Sequence, residues 1–383
     1  MTDNPTKESH MFRSSTLLAL AFAVSAFPLT SHAQTNATTG AVFVMTNNAS
    51  NNQVIAYTRN ADGTLTGRHS FATGGRGSGG LTDPLASQGS LTLTQDHSFL
   101  LAVNAGSGDI SVFHVSGATL TLLGTTPCGG SEPVAVASQG HLVYVVNAGG
   151  TSNVSGFHLT STGALKPIPH STTFLTTGNS GAASLAFGPD GQTLLVTEKL
   201  TGNIDGFSIQ ANGTLGPIVL NPSAGPGLFG VVFAPNGSAI TTETGPSGAT
   251  NASAVSSYAN SAGTLSVISA SVPTLAAATC WHVVTPNGKF LYASSPGTGT
   301  ISGFSIGSTG TLTPVDGTIL ATLPSGSSNL DIAVSADGKY LYTTDSGSGS
   351  VSVFGVNADG TITTLTGVSG LAIEAGYNGI AAF

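Results

Sequence analysis

Charge is what this chain has least of. Lys and Arg number 9 and Asp and Glu 17 in 383 residues, for a net charge of −8. With so few cations there is no basic stripe to neutralise phosphates, which excludes nucleic acid as a partner. After residue 35 no amphipathic stretch of helical length and no apolar run long enough to span a membrane stands out. Cysteine is nearly absent, with Cys128 and Cys280 as the two. Bonding them needs Cα atoms within about 7 Å, and the simpler reading is two buried thiols. There is no GxSxG elbow, HExxH, CxxC or phosphate loop. GGRGSGG at 74–80 is Gly-rich but opens no helix, so it reads as a loop.

Glycine, at 52 residues, is abundant, and with Thr, Val and Ser it suits short strands joined by tight turns. A repeat organises these residues. Seven alternating runs each close on an aromatic, at Tyr57, Phe113, Phe157, Phe207, Tyr258, Phe304 and Phe354, spaced 44 to 56 residues apart. A glycine turn follows each. A period of this size marks blades of one ring. Each unit parses into four strands, A to D, and predicts an all-β, seven-bladed β-propeller of four-stranded antiparallel blades over residues 42–383. The first unit starts at Val42 in what is already a B strand, while GIAAF at the end is an A strand with nothing after it. The C-terminal strand is therefore expected to join the first blade and close the ring, removing an open edge.

Lys7 and Arg13 precede an apolar run from Leu17 to about Leu29, followed by Ser31-His32-Ala33. This is the pattern of an export signal over 1–33, with a short extension at 34–41. It predicts a soluble protein, secreted or periplasmic, and a monomer is the separate expectation for the ring.

In a propeller the D–A connections and B–C loops share one rim, and the A–B and C–D turns the other. Asp96, Asp190, Asp337, Asp62 and Asp359 fall in turns of the second kind, where Asp caps its own backbone. Glutamate does not make turns this way. Glu198 and Glu243 end B strands and Glu132 and Glu374 lie in D–A connections, on the same rim as Lys199, Arg76, Asp83, Asp345, Asn104 and Asn147. The segregation suggests a polar funnel at the channel mouth. Glu198 and Lys199 are adjacent on a strand end and point to opposite sides. Trp281, the single tryptophan, starts an A strand and serves as either a ligand platform or a wedge between blades. His282 reads as core. His114 and His158 follow C-strand aromatics in neighbouring blades, but no third ligand accompanies them, so no metal and no cofactor is expected.

Three segments, PDGQTLLVTEKLTGNIDGF, TPNGKFLYASSPGTGTISGF and SADGKYLYTTDSGSGSVSVF, together with DPLASQGSL at 83–91 and ATCWHVVTPNGKFLY, carry a family pattern. On them the chain from Val42 to Phe383 resembles the seven-bladed propeller lactonases, a family that includes bacterial 6-phosphogluconolactonases and fungal carboxymuconate lactonizing enzymes. The family's acidic residue at the end of a B strand matches Glu198 in T-E-K-L. Its Pro-Arg-His and Pro-His segments correspond to SGAASLAF at 180–187 and GGSEPVAVA at 129–137, which hold neither His nor Arg. The resemblance implies a metal-free hydrolase opening a cyclic ester, sugar- or aromatic-derived, at the channel mouth. Glu198 would move the proton, Lys199, Arg76 or Asn104 would polarise the carbonyl, and Gln88 and Trp281 would line the pocket with Glu132, Asn147 and Glu243. The alternative is a non-catalytic exported propeller holding a carbohydrate, peptide or envelope partner on the same rim.

Overall fold

The computed structural model describes residues 40–247 and 249–383. The export signal and most of the 34–41 extension lie outside them. Among the described residues there is no helix. Seven antiparallel sheets follow one another, each with strands in the order A-B-C-D. The A strands touch their neighbours all the way round the ring, while D strands meet much more sparsely, which puts strand A at the axis.

The first blade is built from both ends of the ring. Its strands B, C and D are Gly40–Met45, Gln53–Arg59 and Leu65–Ala72, and its A strand is Ile380–Ala382. Val42 pairs with Ala382, Phe43 with Ala381 and Val44 with Ile380. The Arg59 Nε donates to the Phe383 carbonyl at 2.9 Å, and the Phe383 ring stacks on Phe43 and His97. Closure by the tail is thus a hydrogen-bonded strand pair anchored by an aromatic.

Alternation explains the core. Strands stand in radial sheets, so successive side chains face the two neighbouring blades. The seven C-strand aromatics are each at most 2% exposed and wedge the sheets apart evenly. Three B-strand tyrosines bridge blades: Tyr144, Tyr292 and Tyr342 donate to the carbonyls of Gly213, Gly360 and Gly63 in the next blade's C–D turn. Gly63 must be glycine twice over. Its φ is +84°, and a Cβ there would lie 2.2 Å from the Tyr340 ring.

Blade 3 departs from the pattern. Its outer strand is split into Leu165–Pro167 and Thr173–Phe174, both paired with strand C at Asn153–Leu159. Pro167 and Pro169 cannot donate to a ladder, and the Ser171 hydroxyl caps the gap by bonding both the N–H and the C=O of Gly156. Cys128 and Cys280 are both buried and unpaired.

The tail strand carries a direct test. Deleting residues 379–383 is expected to lower the melting temperature by about 10 °C or more, or to yield aggregates through the exposed B-strand edge. Thermal unfolding with light scattering reads both outcomes.

Candidate functional site

The D–A connection from blade 1 to blade 2, residues 73–90, is the longest of its kind in the ring, and it does not stay on the rim. Residues 81–89 cross the channel mouth. The Leu81 carbonyl accepts from Gly376 N on the blade 7–blade 1 side. Ser87 Oγ donates to the Val134 carbonyl of blade 3 at 2.8 Å, and Gln88 N to the Ala183 carbonyl of blade 4 at 3.0 Å. From blade 6, Trp281 Nε1 donates to the Ser87 carbonyl at 2.7 Å, and Gln88 Nε2 donates to the His282 carbonyl at 2.6 Å. The expected polar funnel is therefore filled by the chain itself.

This crossing gathers charge at the axis. Asp83 Oδ1 accepts from Ala86 N at 3.0 Å and Asn378 Nδ2 at 2.7 Å, while Oδ2 takes no hydrogen bond among the described residues. Burial pushes the Asp83 carboxyl up to about 7, against the opposing pull of the Lys199 charge and these donors. Lys199, in the B–C turn of blade 4, donates its ammonium to the Ala86 carbonyl and sits 5.3 Å from the centre of the Phe229 ring. Burial lowers its pKa, and the Asp83 charge partly restores it. Phe229 meets Trp281 edge-on at 5.2 Å. Burial raises the Cys280 thiol well above its ordinary range.

Below the crossing segment, a cavity of about 310 Å³ runs along the A strands from Gln88 towards the A–B turns. Val136, Leu185, Phe187, Val231 and Phe233 dominate its wall, and none of its lining residues is ionisable. His282 is core: its Nε2 lies 3.0 Å from the Ile240 carbonyl, which makes it the Nε2–H tautomer. Burial drops its pKa to about 4.

The structure separates the remaining sequence candidates. Of the adjacent pair, Lys199 turns to the axis and Glu198 to the preceding blade. Glu198 has no exposed surface; Oε1 accepts from Thr176 N at 2.9 Å, and Oε2 accepts from the hydroxyls of Thr176 and Thr201. Glu243 is likewise enclosed by Ser256 and Ser271 hydroxyls at 2.6 and 2.7 Å. Asn104 binds Asn52, Thr73, Asp109 and Ser111, and Asn147 binds the Cys128 carbonyl and Asn153. Asn104, Glu198 and Glu243 end B strands and Asn147 stands two residues before the end of one, all in radial sheets, so their side chains meet sheet faces and loops, not the axis. Arg76 is exposed and fastens its backbone to the blade 2 turn through Ser107. Glu132 is exposed at φ 54° and reaches Lys199 only through its field. Gln88 and Trp281 are brought to the mouth as structural contacts of the crossing segment. Asp83 emerges as the accessible acid there; the length of its loop was its signal.

A ring of seven antiparallel blades, closed by its own C-terminal strand, defines the class. The chain matches the family model described as "Lactonase, 7-bladed beta-propeller" over residues 31–174 and 238–374, and it belongs to that family. The stretch between the two matched parts holds Thr176, Glu198, Lys199 and Asp205. The chain is similar in structure to PpgL, the periplasmic gluconolactonase of Pseudomonas aeruginosa, at 17% identity and a TM-score of 0.66, covering 90% of this chain and 99% of that one. It is also similar to a protein from Bacteroides uniformis provisionally described as a 6-phosphogluconolactonase, at 20% identity and 0.65, with 90% and 99% covered. A protein of unknown function from Desulfotomaculum acetoxidans gives 15% and 0.64, with 89% and 98% covered. At these identities the likeness is one of fold. The search of curated proteins finds no match.

Trp281 reports on the crossing segment. Its emission is expected to be blue-shifted and shielded from iodide, and Trp281→Phe, which orphans the Ser87 carbonyl, is expected to cost about 1–3 kcal/mol. Fluorescence quenching and equilibrium denaturation check these.

Proposed function

We propose that this lactonase-family propeller hydrolyses a small cyclic ester at its axial mouth, with Asp83 moving the proton and Lys199 stabilising the developing oxyanion. The observation that carries this reading is the Asp83 carboxyl: one oxygen is pinned by Ala86 and Asn378, the other is free, and its pKa lies near 7 beside a lysine. A group of that kind is suited to take a proton near neutral pH and return it. Ionised Asp83 accepts a proton from water as the water oxygen bonds to the ester carbonyl carbon. The oxyanion draws on the two ammonium protons that Lys199 does not commit to Ala86. When the ring C–O bond breaks, Asp83 returns its proton to the leaving oxygen, and the product is a hydroxy acid.

The sequence-based choice of Glu198 as the base belongs to the same proposal as its competitor, since that carboxylate would first have to shed its threonine donors. A sugar- or aromatic-derived lactone, a monomer and a location outside the cytoplasm, on the strength of the 1–33 leader pattern, complete the reading. The alternative, ligand binding without turnover, is favoured by one observation: the axial cavity below Gln88 has room for a small molecule but no ionisable wall residue. Such a cavity can hold a neutral ring but has no acid or base to act on it.

A panel of sugar and aromatic lactones tests the choice. Asp83→Asn is expected to lower kcat/KM by about 10²–10⁴-fold, with Lys199→Met reducing kcat in the same direction. Wild-type kcat/KM should rise with pH through about 7 as Asp83 ionises. Loss of activity in Glu198→Gln with Asp83→Asn intact hands the proton to Glu198. Binding without turnover of any lactone supports the alternative.

A further inference from the structure

At the third position of the strand C run, blades 2 to 7 carry Ser111, Ser155, Asp205, Ser256, Ser302 and Ser352. Five are hydroxyls, and blade 4 has a carboxyl. In blades 5 and 7 this hydroxyl is the donor to the acid that ends strand B. Ser256 Oγ reaches Glu243 at 2.6 Å and Ser352 Oγ reaches Asp345 at 2.5 Å. The matching acid in blade 4 is Glu198, and Asp205 stands opposite Val196, on the same sheet face as Glu198. Neither side chain has any exposed surface. Neither Asp205 oxygen receives a donor, and the group it meets within hydrogen-bonding reach is the Glu198 carboxyl.

Two ionised carboxylates cannot share a dry contact without a counter-charge. The neighbouring elements supply none. Lys199 is turned to the Ala86 carbonyl. Strand A (Ala182–Phe187) and strand D (Val219–Pro222) of blade 4 hold no titratable group. On blade 3, Tyr144 and His158 sit at the C–D-turn end against Gly213, and Lys166 and His170 are exposed on the outer strand. A hard cation would need about six or more oxygen ligands, and among the described residues no group of three or more His, Cys, Asp or Glu side chains is placed to hold one.

We propose that Asp205 is held as the neutral acid and donates its O–H to Glu198, standing in for the serine hydroxyl of the other blades, so that the joint between blades 3 and 4 is a latch controlled by one proton. Burial first, and the Glu198 charge second, push the Asp205 carboxyl up to about 8. The folded chain thus binds a proton that an unfolded Asp, near about 3.9, releases. This contribution to stability is complete below about pH 4 and is lost as the pH rises through 8. Lys199 follows Glu198 directly, so opening the latch also loosens the axial cluster. That last consequence rests on the site proposed above, whereas the latch itself does not.

The test compares the full chain with Asp205→Ser, which installs the residue of the other blades. The wild type is expected to lose several degrees of melting temperature between pH 6 and 9 relative to the variant, and at pH 9 the variant melts at least as high. The wild-type minus variant infrared difference spectrum at pH 7 should show a protonated-carboxyl carbonyl stretch, over and above the band that partly protonated Asp83 gives in both proteins. Should the serine variant fold poorly, Asp205→Asn, a neutral donor of the same shape, is expected to give the same flatter slope and the same difference band. Parallel pH slopes in wild type and variant, or no such band, overturn the proposal. Calcium that raises the wild-type melting temperature at pH 9 but not that of Asp205→Ser also overturns it, because the pair would then hold a cation.

Discussion

The pairing of Ile380–Ala382 with Gly40–Met45 is the contact on which the other features rest. Each sheet buries its two faces only because a neighbour stands on either side, so a ring with one open joint exposes two apolar faces at once. Three backbone-paired residues, the Arg59–Phe383 bond and the Phe383 ring close that joint. Asp331, buried in the last blade, adds a side-chain bond to Ile380 N. The axial cluster exists because closure holds seven A strands around one line. Asn378, which pins Asp83, is itself part of the returning tail.

The crossing segment turns a channel into two different ends. Asp83, within it, and Lys199, bonded to it, lie largely buried, and each shifts the other's proton affinity. Below it lies a neutral cavity. The same ten or so residues therefore separate an ionisable pair from a cavity with no ionisable wall residue. Its hydrogen bonds reach blades 3, 4 and 6, so it also braces the ring across its diameter.

The ends of the B strands show how a repeat uses one position for one task. Asn104, Asn147, Glu198, Glu243 and Asp345 differ in charge yet all lie buried, bonded to the hydroxyls, amides and carbonyls around them. A polar cap there ties the B–C turn to the strands and connections around it. Blade 4 sets a second carboxyl, Asp205, on the face of its strand-end acid where blades 5 and 7 set a serine hydroxyl. It also lies in the stretch between the two parts that the family model matches.

Blade number, strand order, tail closure and the burial of the aromatics were legible in the chain, because they follow from a local period and from alternation within strands. The common rim of the scarce glutamates was legible for the same reason. Which of them faces ligand was not. A sheet set radially sends its strand-end side chains into the joints, and only the folded ring shows that Glu198 is enclosed while its neighbour Lys199 reaches the axis. Asp83 comes to that lysine through a loop with no periodic pattern, whose path is set by partners in blades far apart in sequence. Local periodicity determined the scaffold; contacts made across the ring decided which charges meet.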